Sequence, residues 1–286
     1  MLKIAHYFDA VAESAPRTPD GACQLLVRGN RNFAKKNGVG PLSKSTRSKP
    51  QGFGLGGSDR SAGLQSPFAA LLGCADARVP PEFVFSTGSN ELFVVRVAGN
   101  VLGQECLGSM RYAVSHFSTT LKLLVVLAHT NCGAVTDAVD LYLEPGRYIK
   151  SATDYSVRSI EDQILVAVRA AALSLESLYG TRVAKQAGYR GALLEVAVVL
   201  NASWSAYCLR QEFRDRLPDL GVVYGVYDLA SGHVRLPLSL PGQLTEEEKG
   251  LFVPPKDAAG FRQVALKICK GQLIRSLMTP ARRRAS

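Results

Sequence analysis

Two thiols and one imidazole occur in this chain at positions that suit metal chemistry. Cys74 follows a short apolar run, and His129 and Cys132 stand three residues apart after another apolar run, in the stretch AHTNCGAV at 128–135. Two cysteines and one histidine are a recognised ligand set of catalytic zinc, because three protein ligands leave the fourth tetrahedral position free. The spacing therefore indicates a zinc site that joins two distant segments.

The stretch LLGCADARVPPE, residues 71–82, adds a carboxylate and a guanidinium to the same place. Asp76 and Arg78 alternate with Cys74, where a buried strand is predicted to end. A bidentate pair between an arginine and a carboxylate is strongly directional. The pattern predicts that Asp76 stands beside the metal and that Arg78 holds its carboxylate in place.

Spacing alone leaves a second interpretation open, since two structural thiols and a hydrogen-bonded histidine would give the same letters. A closed structural zinc would need a fourth ligand. Between residues 70 and 135, the remaining cysteine and histidine are Cys106 and His116, and both fall in a predicted helix at 106–117 that turns them to its packing or solvent sides. That shortage favours an open, catalytic metal over a closed one.

Short apolar runs rich in valine and leucine precede the candidate ligands. They predict strands buried on both faces, at 68–73, 92–99 and 121–129. The carboxyl ends of neighbouring parallel strands meet at one edge of a sheet, where functional sites are usually built. Ligands 55 residues apart in the sequence can converge there.

Helical periodicity alternates with these strands, which predicts an α/β fold with a mostly parallel central sheet flanked by helices. The predicted helices lie at 106–117, 159–179 and 191–213, followed by a strand, a turn and a second strand at 220–236. Ser159 and Asp162 are placed for a start resembling a capping box in the second helix. A final basic segment after 251–260 is predicted to be helical.

Composition divides the chain into one domain and its edges. Residues 1–250 are predicted to form a single α/β domain, with an amphipathic helical arm at 1–20. Residues 37–66 are rich in glycine, serine, lysine and proline and predict a flexible loop. Residues 251–286 form a basic C-terminal extension.

The formal net charge of +10 is concentrated at the edges of the chain. Residues 249–286 carry nine lysines and arginines against one acid, Asp257. For this tail, a covering helix is favoured over a membrane or nucleic-acid anchor. We expect no specific nucleic-acid partner, and a weak contact with an anionic surface remains open.

The six cysteines do not form a dense disulfide framework, and the N-terminus lacks the pattern of a secretory signal. We therefore expect reduced thiols and a cytoplasmic location. No run of about 18 apolar residues suggests a membrane span.

Several blocks, in this order, resemble the β-class carbonic anhydrases over about residues 22–235. They are GNRNF (29–33), QSPFAALLGCADARVPPE (65–82), ELFVVRVAGN (91–100), GSMRYAV (108–114), HTNCGAV (129–135) and YDLASGHV (227–234). The ordered set is far more specific than any one block. The resemblance implies reversible hydration of carbon dioxide to bicarbonate, one zinc ion per chain, and a homodimer or a dimer of dimers.

The resemblance also assigns roles to individual residues. The zinc ligands would be Cys74, His129 and Cys132, and the pair beside the metal would be Asp76 and Arg78, with Asp76 as a possible fourth ligand in a closed state. The substrate-binding residues would be Gln65, Phe93, Tyr112 and Gly133.

Some positions depart from the family pattern. Ala75 and Ala77 stand where serines are common, and neither Ala69 nor Leu71 supplies the tryptophan of the bicarbonate-inhibition site of some members. The ligand set is intact. Two alternatives stay open: a hydrolase of carbonyl sulfide or carbon disulfide with the same fold, and an inactive zinc scaffold whose basic tail binds a partner.

Overall fold

The structure is a computed structural model that describes residues 15–37, 64–151, 153–215 and 219–279. Most of the predicted arm at 1–20 and of the predicted loop at 37–66 lies outside these residues, as does the end of the C-terminal extension.

A five-stranded sheet lies at the centre of the described chain, in the order β2-β1-β3-β4-β5. The strands are β1 (Ala69–Cys74), β2 (Leu92–Val97), β3 (Leu123–His129), β4 (Gly221–Tyr227) and β5 (Val234–Arg235). The first four are parallel, and β5 is antiparallel to β4. The predicted α/β fold with a mostly parallel sheet is confirmed.

The two strands that carry candidate ligands are the most buried part of the sheet. Every residue of β1 and β3 is buried. Continuous apolar runs, rather than alternating ones, are what strands covered on both faces require. These strands are neighbours in the centre of the sheet, so their carboxyl ends share one edge.

Helices cover both faces of the sheet. They are α1 (Pro19–Asn37), α2 (Pro81–Val84), α3 (Gln104–His116), α4 (Gly133–Leu143), α5 (Gly146–Ser151), α6 (Tyr155–Tyr179), α7 (Tyr189–Glu212), α8 (Ala258–Cys269) and α9 (Gln272–Met278). One apolar core lies between the sheet and the face that carries α3, α4, α6 and α7, and a second lies against α1 and α2. Helix α7 is long and apolar enough to cross a membrane, but 72% of its apolar window is buried, so it is the central helix of the first core.

Two helix starts differ from the sequence predictions. The predicted capping box is wrong, because α6 begins at Tyr155 and the carboxylate of Asp154 caps it by accepting from the Val157 amide at 3.1 Å. Helix α1 was not predicted. Thr18 caps it and Pro19 occupies its first position, a combination that marks helix starts.

The C-terminal extension packs on the body as helices α8 and α9. Their buried side chains are Ala265, Ile268, Cys269, Ile274 and Met278. The hydroxyl of Tyr179 on α6 donates to the Cys269 carbonyl at 2.8 Å. The prediction of a helical covering segment is confirmed for these residues.

Candidate metal centre

The three predicted metal ligands converge at the carboxyl edge of the sheet. Cys74 ends β1, His129 ends the adjacent β3, and Cys132 immediately precedes α4. All three side chains are buried, and their ligand atoms lie within 4.8 Å of one another. The two Sγ atoms are 3.9 Å apart.

The turn between β3 and α4 sets the direction of the Cys132 thiol. Asn131 has a φ of 54°, a left-handed conformation that asparagine tolerates better than most residues. Cys132 then lies at the N-terminus of α4, where the amides of Ala134 and Val135 donate to its sulfur. These amides and the helix dipole favour negative charge on the sulfur.

Backbone amides also surround the Cys74 sulfur, which accepts from the amides of Asp76 and Gly99. Gly99 has a φ of 65°, and a Cβ at this position would lie 2.7 Å from Cδ1 of Ile164 and 3.2 Å from Cβ of Ala134. A glycine is therefore needed here both for its conformation and for the close approach.

The two thiols share a charge. The pKa of Cys74 is lowered because the Cys132 thiol donates a hydrogen bond to its sulfur, while the pKa of Cys132 is raised by the same bond and by burial. Two thiolates this close in a buried site repel each other unless a cation lies between them. The pair is therefore suited to a divalent metal.

Zinc fits the three donors. A tetrahedral zinc with Zn–S bonds of 2.3 Å places its two sulfurs about 3.8 Å apart, close to the 3.9 Å between Cys74 and Cys132. The Nδ1 atom of His129 bonds the Thr130 carbonyl at 2.9 Å. Its Nε2 is buried without a hydrogen-bond partner among the described residues. A buried, unpaired imidazole nitrogen beside two sulfurs is what a metal ligand requires.

The predicted pair beside the metal ligands is formed. Arg78 donates from Nε to Oδ1 of Asp76 at 2.9 Å and from Nη2 to Oδ2 at 2.6 Å. This bidentate contact holds the pKa of the Asp76 carboxyl well below its usual range. Oδ2 of Asp76 lies 3.7 Å from Nε2 of His129, so the carboxylate stands next to the ligand cluster.

Sequence reasoning missed the structural role of Arg96. Its Nε donates to the Cys74 carbonyl at 3.0 Å and its Nη2 to the Asp76 carbonyl at 2.5 Å. The guanidinium therefore fixes the backbone on both sides of Ala75. The available signal was a lone charge in the otherwise apolar strand LFVVRV at 92–97.

Three predicted substrate-binding residues lie elsewhere in the single chain. Phe93 pairs with Ala70, four residues before Cys74, which is about 13 Å along the strand. Tyr112 is 49% exposed and stacks on Phe93 with ring centroids 6.2 Å apart. Gln65 is exposed and precedes β1. One chain does not bring these side chains to the metal ligands, and their role stays a prediction.

The fourth predicted substrate-binding residue lies at the centre itself. Gly133 follows Cys132 as the first residue of α4, and it is exposed. A Cβ at this position would meet no atom within 4 Å, so packing does not demand a glycine here. Its role also stays a prediction.

Comparison with known proteins agrees with this geometry. A family model described as carbonic anhydrase matches residues 69–234, which span every predicted ligand. The chain is 40% identical over 108 residues to carbonic anhydrase 2 of Mycobacterium tuberculosis, covering 36% of this chain and 51% of that protein. It is 36% identical over 150 residues to a carbonic anhydrase of Mycolicibacterium smegmatis, covering 50% and 65%. The matches thus span between half and two thirds of these relatives.

Solved structures give weaker likenesses. The β-carbonic anhydrase CcaA matches 60% of this chain and 80% of its own, with a TM-score of 0.47 and 22% identity. A structure reporting two tetrameric β-carbonic anhydrases of Sordaria macrospora matches 60% of this chain and 81% of its own, with a TM-score of 0.45 and 18% identity.

Proposed function

Because this chain belongs to the β-class carbonic anhydrase family, we propose that it catalyses the reversible hydration of carbon dioxide to bicarbonate and a proton, with one zinc ion per chain. One observation carries the proposal. The sulfurs of Cys74 and Cys132 and the free imidazole nitrogen of His129 converge beside a carboxylate that an arginine holds bidentately.

The three ligands are prepared for zinc by their own hydrogen bonds. When bound, zinc lowers the pKa of water to about 7 and so supplies a hydroxide nucleophile at neutral pH. The bond from Nδ1 of His129 to the Thr130 carbonyl selects the tautomer whose Nε2 can ligate. Amides that donate to Cys74 and Cys132 favour negative charge on each sulfur, and a divalent metal would supply the remaining stabilisation that a second thiolate needs.

Asp76 would orient the reacting oxygen. Its lowered pKa keeps the carboxyl ionised at neutral pH, and an ionised carboxylate can only accept hydrogen bonds. It can therefore hold a hydroxide by its proton, which leaves an oxygen lone pair directed at the carbon of CO₂. Arg78 fixes both carboxylate oxygens, and Arg96 fixes the backbone that carries Asp76.

A second copy of the chain would complete the substrate pocket. Phe93 lies about 13 Å along the sheet from Cys74, Tyr112 stacks on Phe93, and Gln65 precedes the opposite end of β1. Strand β2, which carries Phe93, is an edge strand of the sheet, and every residue in it is at least partly exposed. These features support a homodimer or a dimer of dimers in which the pocket residues reach the partner's metal centre.

Zinc analysis and a stopped-flow assay of CO₂ hydration test the proposal together. We expect about one zinc per chain and rapid hydration in the wild type, and loss of both in Cys132→Ser, because that change removes a ligand. Release of hydrogen sulfide from carbonyl sulfide, measured in parallel, distinguishes the sulfur substrates. A folded, zinc-loaded protein that does not hydrate CO₂ would contradict the proposal.

A further inference from the structure

The outer face of the C-terminal helices carries cations that no described residue neutralises. Five basic residues between 256 and 275 are exposed, and none forms a salt bridge within the described part of the chain: Lys256, Arg262, Lys267, Lys270 and Arg275. The one acid of this segment, Asp257, caps α8 by accepting from the Gly260 amide at 2.8 Å. The face therefore has a large local excess of positive charge.

Packing fixes the direction of these cations. Helix α8 buries Ile268 and Cys269 against the body. At 100° per residue, Lys267 and Lys270 each lie about 150° from the mean direction of Ile268 and Cys269, whereas Arg262 lies about 70° from it and flanks the buried side. Helix α9 likewise buries Ile274 and Met278 and exposes Arg275. The charges are thus presented by two docked helices rather than by a free tail.

The turn before helix α7 lies against helix α9. The backbone carbonyl of Leu277 in α9 presses directly against Gly188, leaving no room for a Cβ there. Two further exposed cations, Arg182 and Lys185, lie in the segment just before this glycine. Glu176 is an acid near this junction, since its charge acts on the neighbouring Tyr189.

We propose that this basic face, made of α8, α9 and the segment at 182–185, docks on an anionic lipid surface. Clusters of four to eight lysines and arginines on an amphipathic helix bind acidic headgroups, and each such residue raises the affinity about fivefold. The basic face carries seven such residues: the five between 256 and 275, together with Arg182 and Lys185. Docking of this face on lipid depends on its surface charge and does not depend on the proposed catalysis.

Nucleic acid fits this face less well. Sequence-specific binding to a duplex inserts a helix or strand into a groove, and binding to a single strand stacks bases on exposed aromatic rings. Both α8 and α9 are packed along the body, and neither exposes a large aromatic side chain. Lysine point charges spread over a docked surface need no such geometry.

Sedimentation of the full chain with vesicles tests the proposal. We expect binding to vesicles that contain phosphatidylglycerol, no binding to phosphatidylcholine alone, and weakening as the salt is raised through about 0.15 M. The double variant Lys267→Glu/Lys270→Glu should bind at least about 25-fold more weakly. Circular dichroism and gel filtration check that each variant keeps its fold and oligomeric state.

The matched control is Arg17→Glu/Lys35→Glu, which reverses two exposed cations that flank or lie on α1 and lowers the net charge by the same amount. It should bind as the wild type does. Equal weakening by both double variants would show that only net charge matters and would overturn the proposal. Binding to a DNA duplex but not to vesicles would also overturn it. The same holds if vesicle binding is abolished by deletion of residues 280–286 but is unchanged in Lys267→Glu/Lys270→Glu.

Discussion

Replacement of Gly99 by alanine should weaken both the fold and the metal centre. The Gly99 amide donates to the Cys74 sulfur, and the residue has a φ of 65°. An added methyl group would meet Ile164 at 2.7 Å and Ala134 at 3.2 Å. Because Ile164 is fully buried and Ala134 belongs to the helix that follows Cys132, neither can move without disturbing its surroundings.

Two costs add in this variant. The left-handed conformation costs an alanine about 1–2 kcal/mol, and overpacking of a dense core costs about 1–3 kcal/mol. A total of about 3 kcal/mol would lower the Tm by about 6–12 °C for a domain of this size. A displaced amide beside a metal ligand also lowers metal affinity, typically by about 10–100-fold.

Gly242 provides the matched control. Its φ is 83°, and a Cβ there would meet no atom within 4 Å, so Gly242→Ala carries the conformational cost without the clash. Thermal unfolding at fixed zinc and titration against a zinc chelator measure the two effects. A Tm for Gly99→Ala equal to that of Gly242→Ala would refute the clash, and zinc binding as tight as in the wild type would refute the role of the Gly99 amide.

Three further changes have defined outcomes. Asn30→Ala should cost about 3 kcal/mol in urea unfolding, because it leaves three buried backbone partners unpaired, and a cost below 1 kcal/mol would contradict this. Arg78→Ala should retain zinc by elemental analysis but lose most CO₂ hydration. Arg78→Lys should recover only part of the activity, because lysine lacks the planar guanidinium that contacts both carboxylate oxygens of Asp76. Full activity in zinc-loaded Arg78→Ala would refute the role given to this pair. Arg190 lowers the pKa of Asp140, so the ionised carboxylate stabilises the fold above its ordinary pKa and loses that effect as the pH falls through the lowered value. The difference in unfolding free energy between wild type and Arg190→Gln, measured in urea, should therefore shrink below about pH 4. A difference that stays constant with pH would exclude this linkage.

The sheet could be predicted because burial on both faces leaves an unambiguous mark. Strands β1 and β3 are uninterrupted apolar runs, and each was located to within two residues. Helix starts were harder to predict, because a single side-chain contact decides them. Ser159 and Asp154 are both plausible caps by residue type, and the structure uses Asp154, whose carboxylate reaches the Val157 amide.

The cluster of candidate metal ligands could be predicted because its chemistry is carried by side chains of distinctive type. The groups that support them could not. The amides of Gly99 and Ala134 are identical in kind to every other amide, and their direction depends on a turn that spacing does not reveal. Arg96 gave a signal as a charge in an apolar strand, but its acceptors are backbone carbonyls, which no sequence pattern marks. The cytoplasmic location and the lack of a specific nucleic-acid partner remain predictions.

Cys74, Asp76 and Arg78 stand two residues apart, but they are not alternate residues of one strand. Strand β1 ends at Cys74, and the chain then turns, with the Arg78 amide donating to Oδ1 of Asp76 at 2.9 Å. Aspartate commonly accepts from the amide two residues on, and this bond brings the Arg78 side chain back over the carboxylate. The pair is therefore assembled within three residues, while the ligands need the register between β1 and β3. A change that shifts this register should scatter the ligands and still leave Asp76 bound to Arg78.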